Sequence, residues 1–147
     1  MSGKVENLFI KRNHGQPMHQ VADLQTIAYE GIIGDASYGK KKRQILIVEQ
    51  SILKRFKVNP GDLRENLVVS GMQLSAIQSG SLLRIGDTLL EVTTDCKPCD
   101  MLNELHPGMR DDIDGERGLL VRVLEEGTIR VGDPVVQLPQ NNASIIP

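Results

Sequence analysis

The stretches RIGDTLLEV (Arg84–Val92) and RVGDPVVQL (Arg130–Leu138) are close copies of each other. Each enters Gly-Asp from an apolar residue and leaves it into a largely apolar run. Glycine reaches the positive φ that a tight turn needs, and an aspartate carboxylate can bond nearby backbone N–H groups. The repeated unit therefore reads as a turn that launches a strand. Two more Gly-Asp pairs, Gly34-Asp35 and Gly61-Asp62, punctuate the chain earlier. Pro134 follows the last pair directly, which places it at a strand's first residue or on an edge, where a missing N–H is tolerated.

Outward from these copies, short β-rich runs alternate with turn signals. Candidate strands are Lys4–Lys11, part of Thr26–Ile33, Gln44–Glu49, Asn66–Ser70, Ser81–Ile85, Thr88–Thr93, Gly118–Leu124, Thr128–Val131 and Pro134–Leu138. The run QILIVE (Gln44–Glu49) is apolar and β-branched enough to be buried on one or both faces. From Gln50 to Lys57 the spacing turns helical, with Ile52, Leu53 and Phe56 on one face, and Asn59-Pro60-Gly61 is the stop signal. A second short helix is expected just after Cys99. Many short strands at regular spacing predict a mainly β chain, a sandwich or barrel with two short helices as decoration. No linker divides it, so one domain over 1–147 is expected, with a loose tail at 139–147.

The 147 residues are enough for a real core, but two Phe, two Tyr and no Trp mean that Val, Ile and Leu must build it. A net charge of −2 recruits neither nucleic acid nor a membrane surface in bulk. No run of 18 or more apolar residues is present, and MSGKVENLFIKRN lacks the apolar centre of a signal peptide. A cytoplasmic protein is the expectation, in which cysteines stay thiols.

Chemistry concentrates in TTDCKPCDML (Thr93–Leu102), which holds both cysteines, Cys96 and Cys99. A structural zinc site needs four ligands, often two such pairs, and only His106, Asp95 and Asp100 stand near; no zinc is expected. A thioredoxin-like redox pair needs a long helix in a βαβ setting, whereas this neighbourhood is β-rich. A third reading makes Cys99 a reactive thiolate at a helix start, and a fourth makes it a buried small hydrophobe. The stretch alone does not choose between the last two. The basic run Gly39–Arg43 is a solvated loop or a patch for a phosphorylated ligand. Arg64-Glu65-Asn66 is a surface turn or an arginine fork and an amide aimed at an anion or heterocycle. His106–Asp114 reads as a mobile polar loop, since its aspartates do not have calcium-loop spacing.

Taken in order, these pieces resemble the MOSC domain family, named after the C-terminal domain of molybdenum cofactor sulfurase. The residues that carry the resemblance begin with Gly31-Ile-Ile-Gly34-Asp35, Arg43-Gln44 before ILIVE, and Gly61-Asp62-Leu-Arg64-Glu65-Asn66-Leu67 with Gly71. They continue through Gly80, Ile85-Gly86-Asp87 and LLEV, Pro98-Cys99, Gly115-Glu-Arg-Gly118 and VRVLEEGTIRVGDPVVQL. The resemblance spans about residues 3–138. No single motif is specific, whereas the ordered set is.

The resemblance implies a β-rich barrel and a protein that binds the molybdenum cofactor (molybdopterin), carries sulfur, or both, through one cysteine. That cysteine is Cys99, as persulfide carrier or molybdenum ligand, and Cys96 falls outside the usual pattern. Arg64 and Asn66 map onto an Arg-x-Asn element that contacts the pterin or its phosphate, with Arg43 a further candidate. After Gly34-Asp35, Ala36-Ser37-Tyr38 stands where many members carry an Arg-His or similar pair. A pyridoxal-phosphate desulfurase domain and an extra N-terminal barrel, present in larger relatives, are not expected here. The implied partners are the pterin cofactor or a sulfur donor protein and a molybdoenzyme acceptor. The alternatives are a non-enzymatic cofactor carrier and a small molybdenum-dependent reductase of N-hydroxylated substrates with a separate electron donor. The resemblance leaves open whether there is sulfurtransferase-like or molybdenum-dependent turnover.

Overall fold

The computed structural model describes residues 2–139. It is mainly β. The strands are β1 (Ser2–Ile10), β2 (His19–Val21), β3 (Asp23–Ile27), β4 (Gly31–Ile32), β5 (Ile45–Glu49), β6 (Leu67–Ser70), β7 (Leu82–Ile85), β8 (Thr88–Asp95), β9 (Leu119–Glu125), β10 (Gly127–Arg130) and β11 (Pro134–Gln137). The order β11-β7-β8-β9-β5-β6-β1 closes into a seven-stranded barrel through pairing of β11 with β1, and β2 adds to the outer side of β1. Strands β10, β3 and β4 form a second, three-stranded sheet. Only β5 and β6 are parallel in the barrel, joined by the crossover that carries helix α1 (Gln50–Arg55).

The two sequence copies meet in space. Strands β7 and β11 pair antiparallel, with Ile85 opposite Val135, and Asp133 of one Gly-Asp turn packs on Gly86 of the other. A Cβ at Gly86 would lie 2.4 Å from Asp133 Oδ2, so glycine is required there for contact as well as for its φ of 55°. The Asp133 carboxylate accepts the N–H of Arg130 at 2.7 Å, bonding backwards into the turn.

Period-two alternation divides the apolar residues between two cores. Ile45 and Ile47 of β5, Leu67 and Val69 of β6, and Leu119, Val121 and Val123 of β9 fill the barrel. Their outward neighbours Leu46, Val48, Val68 and Leu120 form a second cluster with Ile52, Leu53, Leu102, Met109 and Ile113. This explains why all five residues of β5 are buried. The short helices α1, α2 (Leu102–Leu105) and α3 (Met109–Asp112) are thus the cover of the outer core, not decoration.

The strand expected within Thr26–Ile33 is present as the end of β3 and, after a turn at Tyr29 (φ 65°), as β4. Several sequence expectations are corrected. Strand β2 has too few residues to show a period. Helix α1 ends at Arg55, before the Asn59-Pro60-Gly61 signal, because Lys57 is left-handed (φ 56°) and two bonds close the end: Val58 N–H to Leu53 O (3.0 Å) and Lys57 N–H to Lys54 O (3.2 Å). That is a Schellman closure with lysine in the usual glycine place. The expected polar loop at His106–Asp114 contains α3, since Met109 and Ile113, four apart, both reach the outer core. The expected loose tail lies outside the described residues except for Pro139. Among the described residues no helix is long and apolar enough to cross a membrane.

Candidate functional site

The C-terminal ends of β1 and β8 and the segments leading into β5, β6 and β9 converge on a cavity of about 230 Å³. Its apolar lining is Leu46, Leu120 and Met101, with Leu46 and Leu120 paired across β5 and β9 and both belonging to the outer core. Arg43, Arg64, Asn66 and Cys99, which come from three separate stretches of the sequence, all line it. His106 is not among them; its ring nitrogen faces the carbonyl of Lys57 at 3.4 Å. Among the described residues, no three His, Cys, Asp or Glu side chains converge as a metal-holding group.

The cavity is cationic. Lys11, Lys40, Arg43, Arg64, Lys97 and Arg117 line it, and no Asp or Glu does. In a chain of net charge −2 this is a strong local excess. Burial pushes Lys11 below the usual lysine range; Asp35 pulls it back, while Arg64, Lys40 and Arg117 depress it further. Arg117 is the least expected member. It is only 4% exposed, its Nη2 donates to Leu63 O at 2.6 Å, and its Nε and Nη1 have no hydrogen-bond partner among the described residues. Unmade bonds on a buried polar group cost about 1–3 kcal/mol, more when it is charged. Both unpartnered nitrogens are themselves buried, and the Arg117 charge acts on Lys11, Glu65 and Cys96 around the cavity.

Asn66 lines the cavity and is engaged by the fold on three sides. Its Oδ1 accepts Leu46 N–H (3.0 Å), and its Nδ2 donates to Phe9 O (3.1 Å) and to Asp35 Oδ1 (3.0 Å). Both amide hydrogens are consumed, so Asn66 ties β1, β5 and the Gly34-Asp35 turn together beneath the site. Asp35, also buried, accepts the N–H of Lys11 (2.7 Å) and of Ser37 (2.9 Å) as well. Asp35 therefore fixes the loop that departs from the usual Arg-His pattern.

Arg64 sits between fully buried Leu63 and Glu65. Its backbone is left-handed (φ 66°), which costs a non-glycine residue about 1–2 kcal/mol. Glu65 anchors the turn by accepting Gly61 N–H (3.0 Å) and Leu63 N–H (3.1 Å). Burial pushes the Glu65 carboxyl above its usual range, and those N–H groups and Arg117 pull it partly back. The result holds the half-buried Arg64 at the cavity, where its guanidinium also donates to Gln16 O.

The two thiols differ. Cys99 is exposed and Cys96 is buried, and neither is in a disulfide. Helix α2 begins at Leu102, three residues after Cys99, and is one turn long. Cys99 therefore precedes the turn that leads into α2 rather than opening the helix, and it lines the same cavity as the six cations. Cys96, outside the usual pattern, packs in the outer core and also lines the cavity. Burial pushes its thiol up, while Arg117 and Arg43 pull it down. Sequence reasoning missed Lys11, Asp35, Cys96 and Arg117 as parts of the site. Arg117 lay in view in Gly115-Glu-Arg-Gly118, but nothing local marks an arginine for burial.

The family model described as MOSC domain matches residues 12–136. No curated protein sequence matches the chain. Among solved structures, the YUAD protein from Bacillus subtilis is similar at a TM-score of 0.79 and 24% identity, over 92% of this chain and 94% of that one. YiiM from Escherichia coli is similar at 0.72 and 21% identity, over 96% and 71% of the two chains. YiiM from Geobacillus stearothermophilus follows at 0.74 and 20%, over 97% and 78%. At these identities the structures show a shared fold.

Proposed function

Because the chain belongs to the MOSC domain family, which is associated with molybdenum-cofactor function, we propose that its basic cavity receives the phosphate-bearing end of the molybdenum cofactor. Beside it, Cys99 is the sulfur-handling thiol, accepting sulfane sulfur as a persulfide or ligating molybdenum. The observation that carries this reading is Arg117: a buried guanidinium with two unpartnered nitrogens, in a wall of six cations without a carboxylate, adjoining an exposed thiol.

The residues fit such a group. A phosphate oxygen would offer the acceptors that the arginines lack, by charge-assisted bonds worth about 1.5–3 kcal/mol each. The cavity is smaller than the roughly 300–1,000 Å³ of a typical ligand pocket, so it suits one end of a large ligand. When bound, the cofactor supplies a metal that takes soft sulfur ligands. The chain's own part is to orient the anion through Arg64, Arg43 and Lys11 and to present the Cys99 thiolate, the form competent for both roles. Asn66 positions β1, β5 and the Asp35 turn without touching the ligand. A sulfur donor protein and a molybdoenzyme acceptor are the partners this reading requires.

The test is retention of molybdenum and pterin fluorescence after loading and gel filtration, together with sulfur uptake from a sulfane donor. Arg64→Ala should weaken pterin retention by about tenfold or more, the equivalent of one charge-assisted bond. Cys99→Ser should retain pterin yet take up no sulfur. Wild-type retention by Arg64→Ala together with wild-type sulfur loading by Cys99→Ser would sink the reading.

A further inference from the structure

Cys96 has no part in the scheme above, although it lines the same cavity as Cys99. Its backbone N–H is held by Gly118 O at 2.8 Å, which anchors the start of the loop, and its thiol has only a 3.8 Å contact to Lys97 O. Residues 96–99 belong to neither strand nor helix, lying between the end of β8 and the start of α2. One thiol is therefore fixed and buried, and the other is exposed on a three-residue tether. The two are close enough for the charge of one to act on the other. Neither is in a disulfide. Arg43, Arg117 and Lys97 border the space they share.

We propose that Cys96 is a resolving thiol: it attacks a persulfide on Cys99 and releases the carried sulfur as hydrosulfide. This rests on the reading of Cys99 as a sulfur acceptor. The Cys96 sulfur, as thiolate, attacks Sγ of Cys99. A Cys96–Cys99 disulfide forms, the bond from Cys99 to its outer sulfur breaks, and that sulfur leaves with the electron pair as HS⁻. The outer sulfur is reduced by two electrons, and the two cysteine sulfurs together supply them. With the persulfide ionised as Cys99–S–S⁻, the proton given up by the Cys96 thiol is taken up by the leaving sulfur, which therefore departs as HS⁻. Burial holds Cys96 mainly as the thiol, Arg117 and Arg43 partly offset that, and the cationic lining favours the departing anion. Return to two thiols requires an external dithiol reductant, so without one the protein releases a single equivalent.

Two features support this over a purely structural Cys96. A buried cysteine kept only for packing has no reason to border the cavity of the reactive one. A neighbour three residues away also makes the exchange intramolecular, a large advantage over collision with a second molecule. The exposed persulfide would otherwise wait for an outside thiol.

The experiment is to load the reduced protein briefly with inorganic polysulfide, remove the donor, and follow released sulfide and the mass of the Cys96–Cys99 peptide. Wild type should release one equivalent of sulfide while the peptide loses two hydrogens. Cys96→Ala, small and apolar enough for the buried position, should keep one added sulfur on Cys99 and release sulfide at least about a hundredfold more slowly. Cys96→Ser serves as a second variant should the alanine protein unfold. Equal release by wild type and a folded Cys96 variant would overturn the proposal, as would a wild-type persulfide that persists with no disulfide. If Cys99 takes up no sulfur in any variant, the underlying sulfur-carrier reading fails, and this inference fails with it.

Discussion

At the residue scale, Arg117 and Glu65 define the electrostatics of the site from beneath. Arg117 leaves two nitrogens unpartnered, so an anion that reaches it should stabilise the fold by mass action, about 2.7 kcal/mol at a hundred times the dissociation constant. Inorganic phosphate should therefore raise the Tm of the wild type by several degrees and that of Arg117→Met not at all, as differential scanning fluorimetry would read. A rise of equal size in both proteins would remove Arg117 from the anion site. Glu65 gives a pH prediction. Its folded pKa is raised by burial, so the native state binds its proton more tightly than the unfolded chain does. Its contribution to stability is then fully present below the ordinary carboxylate pKa and is lost as pH rises through the folded value. Urea midpoints should show this decline above the ordinary carboxylate range, and Glu65→Gln should abolish its share. That variant should also cost about 1–3 kcal/mol, because an amide NH₂ would meet one of the turn N–H groups that the carboxylate now accepts.

At the element scale, the loop into β9 shows how the barrel sets the site. Gly118 has φ 129°, and a Cβ there would lie 2.5 Å from Ile47 O on β5. Its carbonyl also holds Cys96 N–H. Gly118→Ala should destabilise the protein by about 3 kcal/mol or more, since both the backbone conformation and the contact oppose it; a change below about 1 kcal/mol in chemical denaturation would contradict this packing. The elements also show how far local pattern reaches. Ile52 and Leu53 announced α1, but its end at Arg55 was invisible, because the left-handed Lys57 that closes it carries no compositional signal. Met109 and Ile113 had helical spacing, yet the aspartates between them masked it. What made α2 and α3 structural was an apolar outer face on β5, β6 and β9, and that face exists only once the strands have paired.

At the scale of the whole molecule, the barrel closes through β1 and β11, the two ends of the described chain, with Gly3 opposite Val135. Strand β5 lies between the two cores and is buried along its length. Native-state hydrogen exchange should find the amides of Ile45–Glu49 among the slowest, opening only with global unfolding, while β2 and residues 96–101 exchange earlier. Fast exchange across β5 would mean that the outer helices do not protect it. The same architecture gathers Lys11, Arg43, Arg64, Arg117 and Cys99 at one cavity from five separate segments, concentrating positive charge on a chain that is slightly acidic overall.

The sequence by itself determined the β character, because period-two alternation and the Gly-Asp turns act through nearest neighbours and need nothing distant to be read. It also pointed to Cys99, Arg64, Asn66 and Arg43, through the order of their motifs, and the fold brings these to one cavity. Only the tertiary structure decided what each does there. Whether Asn66 offers its amide or spends it, whether Arg117 lies in water or is buried with bare nitrogens, and whether Cys96 is idle or shares a cavity with Cys99 depend on strands remote in sequence. Burial and hydrogen-bond satisfaction are properties of the assembled packing, and no local stretch of the chain contains them.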